Sequence, residues 1–135
     1  MILAAAPGSV VYAGLKRGFD RAALLREVNR GTTELCLHQL TPRVGDCLLI
    51  PAGTVHALGA GLLVAEIQQS SDTTYRLFDW NRRDATGQPR TLHIDQSLNT
   101  IDYERGPIQI QPPQPTTHAE SQCLAQCDKF VMYRW

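Results

Sequence analysis

No charge of either sign is in excess in this chain: thirteen basic and thirteen acidic residues cancel over 135 positions. A balanced chain sets up no long-range field toward a polyanion, and no local cluster of Lys and Arg interleaved with aromatics replaces one. Nucleic acid and anionic lipid are therefore not expected partners. No uninterrupted apolar run of membrane length is present either. Cys47 to Ala65 has the extent of a span, but Pro51, Gly53, His56, Gly59 and Gly61 interrupt it and strand-type alternation follows. The start, Met1-Ile-Leu-Ala-Ala-Ala-Pro7, lacks the basic flank and apolar stretch of a secretory signal, so a cytoplasmic location is expected. Gly-x4-Gly-Lys and Gly-x-Ser-x-Gly are absent, which removes a phosphate-cradling loop and a serine nucleophile turn. Four cysteines (Cys36, Cys47, Cys123, Cys127) make an even count, but nothing else suggests an oxidising compartment. The spacing of Cys123 and Cys127 suits one helical face better than a zinc knuckle, and the expectation is reduced, mostly buried thiols.

What is present suits one small β-rich domain. Apolar residues at 43% and charged residues at 19% are ordinary for a soluble globular chain of this length. Ile2 to Ala6 and Ser9 to Ala13 read as strands around a turn at Pro7-Gly8. Asp20 is a plausible N-cap for a helix over Arg21 to Asn29, with Leu24, Leu25 and Val28 on one stripe and Gly31 closing it. Leu35 to Leu40 is a strand, and Cys47 to Ile50 is an apolar run suited to a strand buried on both sides or facing a barrel interior. Gly59-Ala60-Gly61 signals a hairpin between Val55–Leu58 and Leu62–Gln69. Thr73 to Trp80 is β-branched and aromatic, 82–89 is a polar loop, Arg90 to Ile94 is a short strand, and Asp95 caps a brief helix to Ile101. Short strands at close intervals predict a mainly β fold, an antiparallel sandwich or barrel with one inserted helix. Residues 1–105 form its main portion, 106–118 are a Pro/Gln-rich linker, and 119–135 open a second β unit.

The chemistry gathers in two stretches. In Gly45-x5-Pro51-x-Gly53-x2-His56 a rigid turn follows a strand and presents an imidazole. Proline fixes φ and glycine permits an unusual backbone angle, so His56 is aimed reproducibly, as a metal ligand must be. On the next strand Val64, Glu66 and Gln68 share a face. Glu66 and Gln68 are either an ordinary solvated pair or a polar pair facing a barrel mouth. Arg76, in Asp72-Thr-Thr-Tyr-Arg76, either pairs with Asp72 or Asp79 or clamps a phosphate or an enediolate. His38, His93 and His118 lack comparable presentation and are assigned no role.

Those residues resemble a known family. Gly45-x5-Pro51-x-Gly53-x2-His56 is similar to the second cupin motif. IPAGTVHALGAG, EIQQSSDTTYRLFDW and the Arg90-Thr-Leu-His93 that follows resemble type I phosphomannose isomerase. The similarity runs from Tyr12-Ala-Gly-Leu-Lys16 to about Asp102, and Asp128-Lys-Phe-Val131 resembles the start of that family's following β domain. The resemblance implies a cupin-type jelly roll and a zinc-dependent aldose–ketose isomerase interconverting mannose 6-phosphate and fructose 6-phosphate. It places His56 as the last zinc ligand, Arg76 as the catalytic arginine, and Glu66 and Asp72 in the substrate site. The phosphorylated hexose would be the partner and zinc the cofactor.

The departures are equally informative. The Gln-x-His and Lys-Thr-Glu segments that carry the family's other three ligands do not occur in this chain. One histidine does not hold zinc where three or four ligands are usual. The expectation is a central fragment of a longer enzyme, with an incomplete jelly roll, exposed strand edges that favour self-association, and no activity alone. The competing readings are a non-catalytic cupin-like module that binds a sugar or is completed by another chain, and a small interaction domain that keeps the motif only as scaffold.

Overall fold

Asp20 starts the longest helix by the expected route. Its carboxylate accepts the Ala23 N–H at 2.7 Å, α1 runs over Arg21–Arg30, and Gly31 closes it in the left-handed conformation. Such a cap is worth about 1 kcal/mol. The computed structural model describes residues 1–71 and 73–135. Around α1 the described residues are mainly β: β1 (Ile2–Ala5), β2 (Val11–Leu15), β3 (Leu37–Leu40), β4 (His56–Leu58), β5 (Leu62–Val64), β6 (Gln114–Pro115), β7 (Gln122–Gln126) and β8 (Val131–Arg134), with a second helix, α2, at Ile94–Thr100. Every ladder among them is antiparallel.

The hairpin expected at Gly59–Gly61 does not form, and the strands on either side of the Pro7-Gly8 turn do not pair with each other. β1 pairs with β5, whereas β2 lies between β3 and β4 in a different sheet. The two turns instead run side by side as corners from one sheet to the other. Ala6 N–H donates to Gly61 O at 2.8 Å, Gly59 N–H to Val10 O at 2.9 Å, and Ser9 Oγ to Ala60 O at 2.9 Å. Each corner satisfies the other's backbone, so distant pairing replaces the local pairing that the glycines suggested.

β2 serves two interiors. Val11 and Ala13 pack with Ile2, Ile108, Leu40, Leu62 and Val64 between the two sheets. The register with β3 shifts between Tyr12 and Leu15. That bulge turns Leu15 to the opposite face, where it joins Leu24, Val28, Cys36, Leu37, Leu77 and Leu98. Both helices pack on this second cluster.

Cys47 to Ile50 alternates as a buried strand should. Leu48 and Ile50 reach the inter-sheet cluster, and Cys47 and Leu49 reach a third one with Leu124, Ala125 and Met132. Its ladder, however, is a single bridge to Gln111. Residues 106–118 are held at three places: Ile108 N–H on Ala13 O, Gln111 N–H on Cys47 O, and β6 on β7.

Four local expectations need correction. Thr33–Cys36 is a 3-10 turn, so β3 starts only at Leu37. Cys123 lies in β7 and Cys127 just after it, so no helix carries them; all four cysteines are free thiols. Asp95 sits in the first turn of α2 rather than at its cap, which is His93. Segments 73–80 and 90–94 form no ladder among the described residues. Arg76 N–H goes to the His93 side chain at 3.1 Å instead of to a carbonyl, which stops strand pairing from propagating.

Candidate functional site

A cleft of about 610 Å³ opens where the Pro51–Val55 turn, β4, residues 73–80 and α2 meet. The turn is built from its own sequence. Thr54 N–H closes back on Pro51 O at 3.2 Å, and Gly53 has φ +78°, where glycine is unstrained. A Cβ on Gly53 would lie 2.9 Å from Thr100 O, so the residue also permits close approach to the end of α2. Asp102 N–H donates to Gly53 O at 2.9 Å, and Gly14 N–H to Val55 O at 2.8 Å. His56, opposite Ala13 in the β2–β4 ladder, therefore enters the cleft from a backbone pinned on both sides.

His56 is exposed, and its Nδ1 lies 2.9 Å from Thr54 O. A carbonyl only accepts, so Nδ1 carries the proton in the neutral ring. Nε2 is then the nitrogen with a free lone pair, suited to a metal or to accepting a proton.

Arg76 reaches the same cleft. Nη1 donates to Thr91 O at 3.0 Å, and the backbone is clasped by His93, which accepts from Arg76 N–H and donates its own N–H to Arg76 O at 2.8 Å. Arg76 is not paired with Asp79. That buried carboxylate takes Nε of Arg90 at 2.7 Å on one oxygen and the Arg90 Nη2 on the other. The hydrogen bonds from Arg90 hold the Asp79 carboxyl below its ordinary 3.8; burial opposes the shift, and the charges of Arg90, Arg76 and Arg82 add to it. Arg76, Arg82 and Arg90 all line the cleft, whereas Asp79 is the single acid among the described lining residues. Among the described residues two cations are left uncompensated, which favours an anionic ligand.

The far wall carries local strain. Trp80 and Asn81 have φ of 48° and 54°, a conformation that costs a bulky residue about 1–2 kcal/mol. Tyr12 and Phe78 hold the Trp80 ring, with centroids 5.7 and 5.1 Å away, and Arg82 N–H closes the turn on Asp79 O.

Of the residues singled out from the sequence, His56 and Arg76 come together. Glu66 lies past the end of β5 on an exposed stretch and does not line the cleft, and Asp72 lies outside the described residues. Sequence reasoning missed His93, which fixes Arg76. The one signal for His93 was its place in the Arg90–His93 stretch. Among the described residues no three His, Cys, Asp or Glu side chains come together as a metal site. His56 has the right chemistry for one zinc ligand, but these residues do not fit zinc by themselves.

A mainly β frame of antiparallel sheets with few helices defines a cupin-like fold. Comparison with known proteins is more particular. The chain is similar to a mannose-6-phosphate isomerase of Bacillus subtilis, 37% identical over 114 residues, which is 80% of this chain and 35% of that protein. It is 33% identical over 117 residues to the mannose-6-phosphate isomerase of Streptococcus mutans, 86% of this chain and 37% of that one. The crystal structure of a Bacillus subtilis mannose 6-phosphate isomerase superposes with a TM-score of 0.85 at 28% identity, over 98% of this chain and 42% of that one. No protein-family profile matches the chain. The resemblance carried by the motifs thus holds over most of this sequence, which spans little more than a third of the length of these curated relatives.

Proposed function

We propose that this chain is the part of a mannose-6-phosphate isomerase that contributes His56 and Arg76 to the sugar-phosphate site. The observation that carries the reading is their convergence on one cationic cleft, in a chain 37% identical to such an isomerase over 80% of its length. Aldose–ketose isomerisation moves a proton between adjacent sugar carbons through an enediolate. A fixed guanidinium lowers the cost of that negative charge, and Arg76 is fixed through His93. The free Nε2 of His56 gives the opposite wall a lone pair. On this reading zinc is the cofactor, His56 is one of its ligands, and the remaining ligands come from outside the described residues. Glu66 and Asp72 serve the substrate side in the completed site. The sheets form part of a cupin-type jelly roll made by residues 1–105, with 106–118 linking it to a following β unit. The cytoplasm is the setting that fits a phosphorylated hexose substrate.

The same chain associates with itself through its open edges, where Tyr133 and Trp135 are exposed. A concentration-independent monomer in sizing chromatography would contradict that. A second reading, a non-catalytic sugar-phosphate binder, is favoured by the lack of a three-ligand group among the described residues.

Zinc analysis, a coupled isomerase assay and a binding titration on the purified chain test the reading of the cleft. Saturable binding of mannose 6-phosphate without turnover, and without tightly held zinc, is expected. Turnover with equimolar zinc establishes the isomerase on this chain alone and overturns the assignment of the other ligands. Failure to bind any hexose phosphate overturns the reading of the cleft.

A further inference from the structure

One side chain in the cleft wall stands where the backbone does not favour it. Arg82 N–H closes on Asp79 O at 2.9 Å, so Trp80 and Asn81 are the two central residues of a tight turn. Both have positive φ, 48° and 54°, as in a type I′ turn. Asn, Asp and Gly suit such positions, and Asn81 follows that rule. Trp80 breaks it, because a bulky side chain is strained there. Packing alone does not account for the exception. Tyr12 and Phe78 hold the ring, with planes tilted to it by 32° and 58°, yet Trp80 stays 37% exposed. It lines the cleft together with Arg76 and with Arg82, two residues further along the same turn. An indole held by two rings and left open on a cationic cleft offers a rigid apolar face. A hexose has a matching surface. The C–H bonds of one sugar face form an apolar patch, and their slightly positive hydrogens meet the negative face of an aromatic ring.

We propose that Trp80 is the platform on which the sugar ring of the ligand stacks, while the cations of the cleft take the phosphate. The strained turn holds the indole in one place, so little conformational freedom is lost on binding. The platform therefore selects a cyclic sugar phosphate over an acyclic phosphoester or free phosphate. This rests on the sugar-phosphate reading of the cleft and adds the residue that reads the sugar ring.

The chain has two tryptophans, and the other, Trp135, is 78% exposed and does not line the cleft. Trp135→Phe in the full chain therefore leaves Trp80 as the sole indole reporter. Mannose 6-phosphate should change its emission with the midpoint found by calorimetric titration, and inorganic phosphate should not. Trp80→Leu should bind mannose 6-phosphate about 3- to 10-fold more weakly, with glycerol 3-phosphate and inorganic phosphate unaffected. Trp80→Phe should keep most of the hexose affinity, since an aromatic face remains. The emission titration decides the matter if Trp80→Leu does not fold. Emission unmoved by saturating mannose 6-phosphate, unchanged hexose affinity in Trp80→Leu, or an equal loss for the two phosphates without a sugar ring would each overturn the inference. If the unsubstituted chain binds no hexose phosphate, the reading of the cleft fails and this inference fails with it. If that chain binds and Trp80→Leu binds as tightly, only the inference fails.

Discussion

Gly53→Ala is the sharpest perturbation of the frame that aims His56. Two costs combine there. At φ +78° an alanine is strained by about 1 kcal/mol. Its Cβ would also stand 2.9 Å from Thr100 O, a backbone atom that moves only if the end of α2 moves. The easiest relief displaces the turn and weakens the 2.9 Å bond from Asp102 N–H to Gly53 O, at about 0.5–1.5 kcal/mol. The expected loss is about 1.5–2.5 kcal/mol. Gly87 supplies the matched control. It has φ +80° with nothing within 4 Å of where a methyl group would stand, so Gly87→Ala should lose only about 1 kcal/mol. Urea unfolding followed by circular dichroism reads both as shifts in midpoint at constant slope. Equal losses in the two variants would refute the claim that the turn is braced against α2. A weaker affinity for mannose 6-phosphate in Gly53→Ala, absent in Gly87→Ala, would tie the brace to the site.

Two further outcomes follow from the ion pair and the thiols. The folded Asp79 carboxyl sits below its ordinary 3.8, so its pairing with Arg90 stabilises the fold above that value and is lost as pH falls through the lower folded value. Arg90→Gln should therefore be less stable than the unsubstituted chain at neutral pH, with the difference closing below about pH 4 in parallel pH-dependent melts; a gap independent of pH would contradict this. Burial raises the thiols of Cys36 and Cys47, while Cys123 and Cys127 are half-buried. A thiol reagent should modify Cys123 and Cys127 in the folded chain and the other two only on unfolding, as read by peptide mass spectrometry.

The legible part of this fold was local. Asp20 and Gly31 bracket α1 because a cap and a left-handed stop act within one turn of the chain. His56 was found because Pro51 and Gly53 constrain the backbone just before it. Strand partners were less legible: Gly59 and Gly61 carry the same local signal whether the chain folds back on itself or turns a corner against Ala6 and Val10. The choice depends on residues far away along the chain. His93 was missed for a similar reason, since its role is to accept one N–H from Arg76, seventeen positions earlier. The Asp79–Arg90 pair spans a loop whose Asp84 gathers three hydrogen bonds from Thr86 and Gln88, a closure that composition does not announce.

The most direct test of the cleft is a titration of mannose 6-phosphate into the purified chain, compared with Arg76→Gln. Saturable binding is expected, and the substitution should weaken it about tenfold or more, because a charge-assisted contact to an anionic ligand is removed while Arg90 keeps Asp79 neutralised. Equal affinity in the two proteins, or no saturable binding in the unsubstituted chain, would contradict that reading of the cleft.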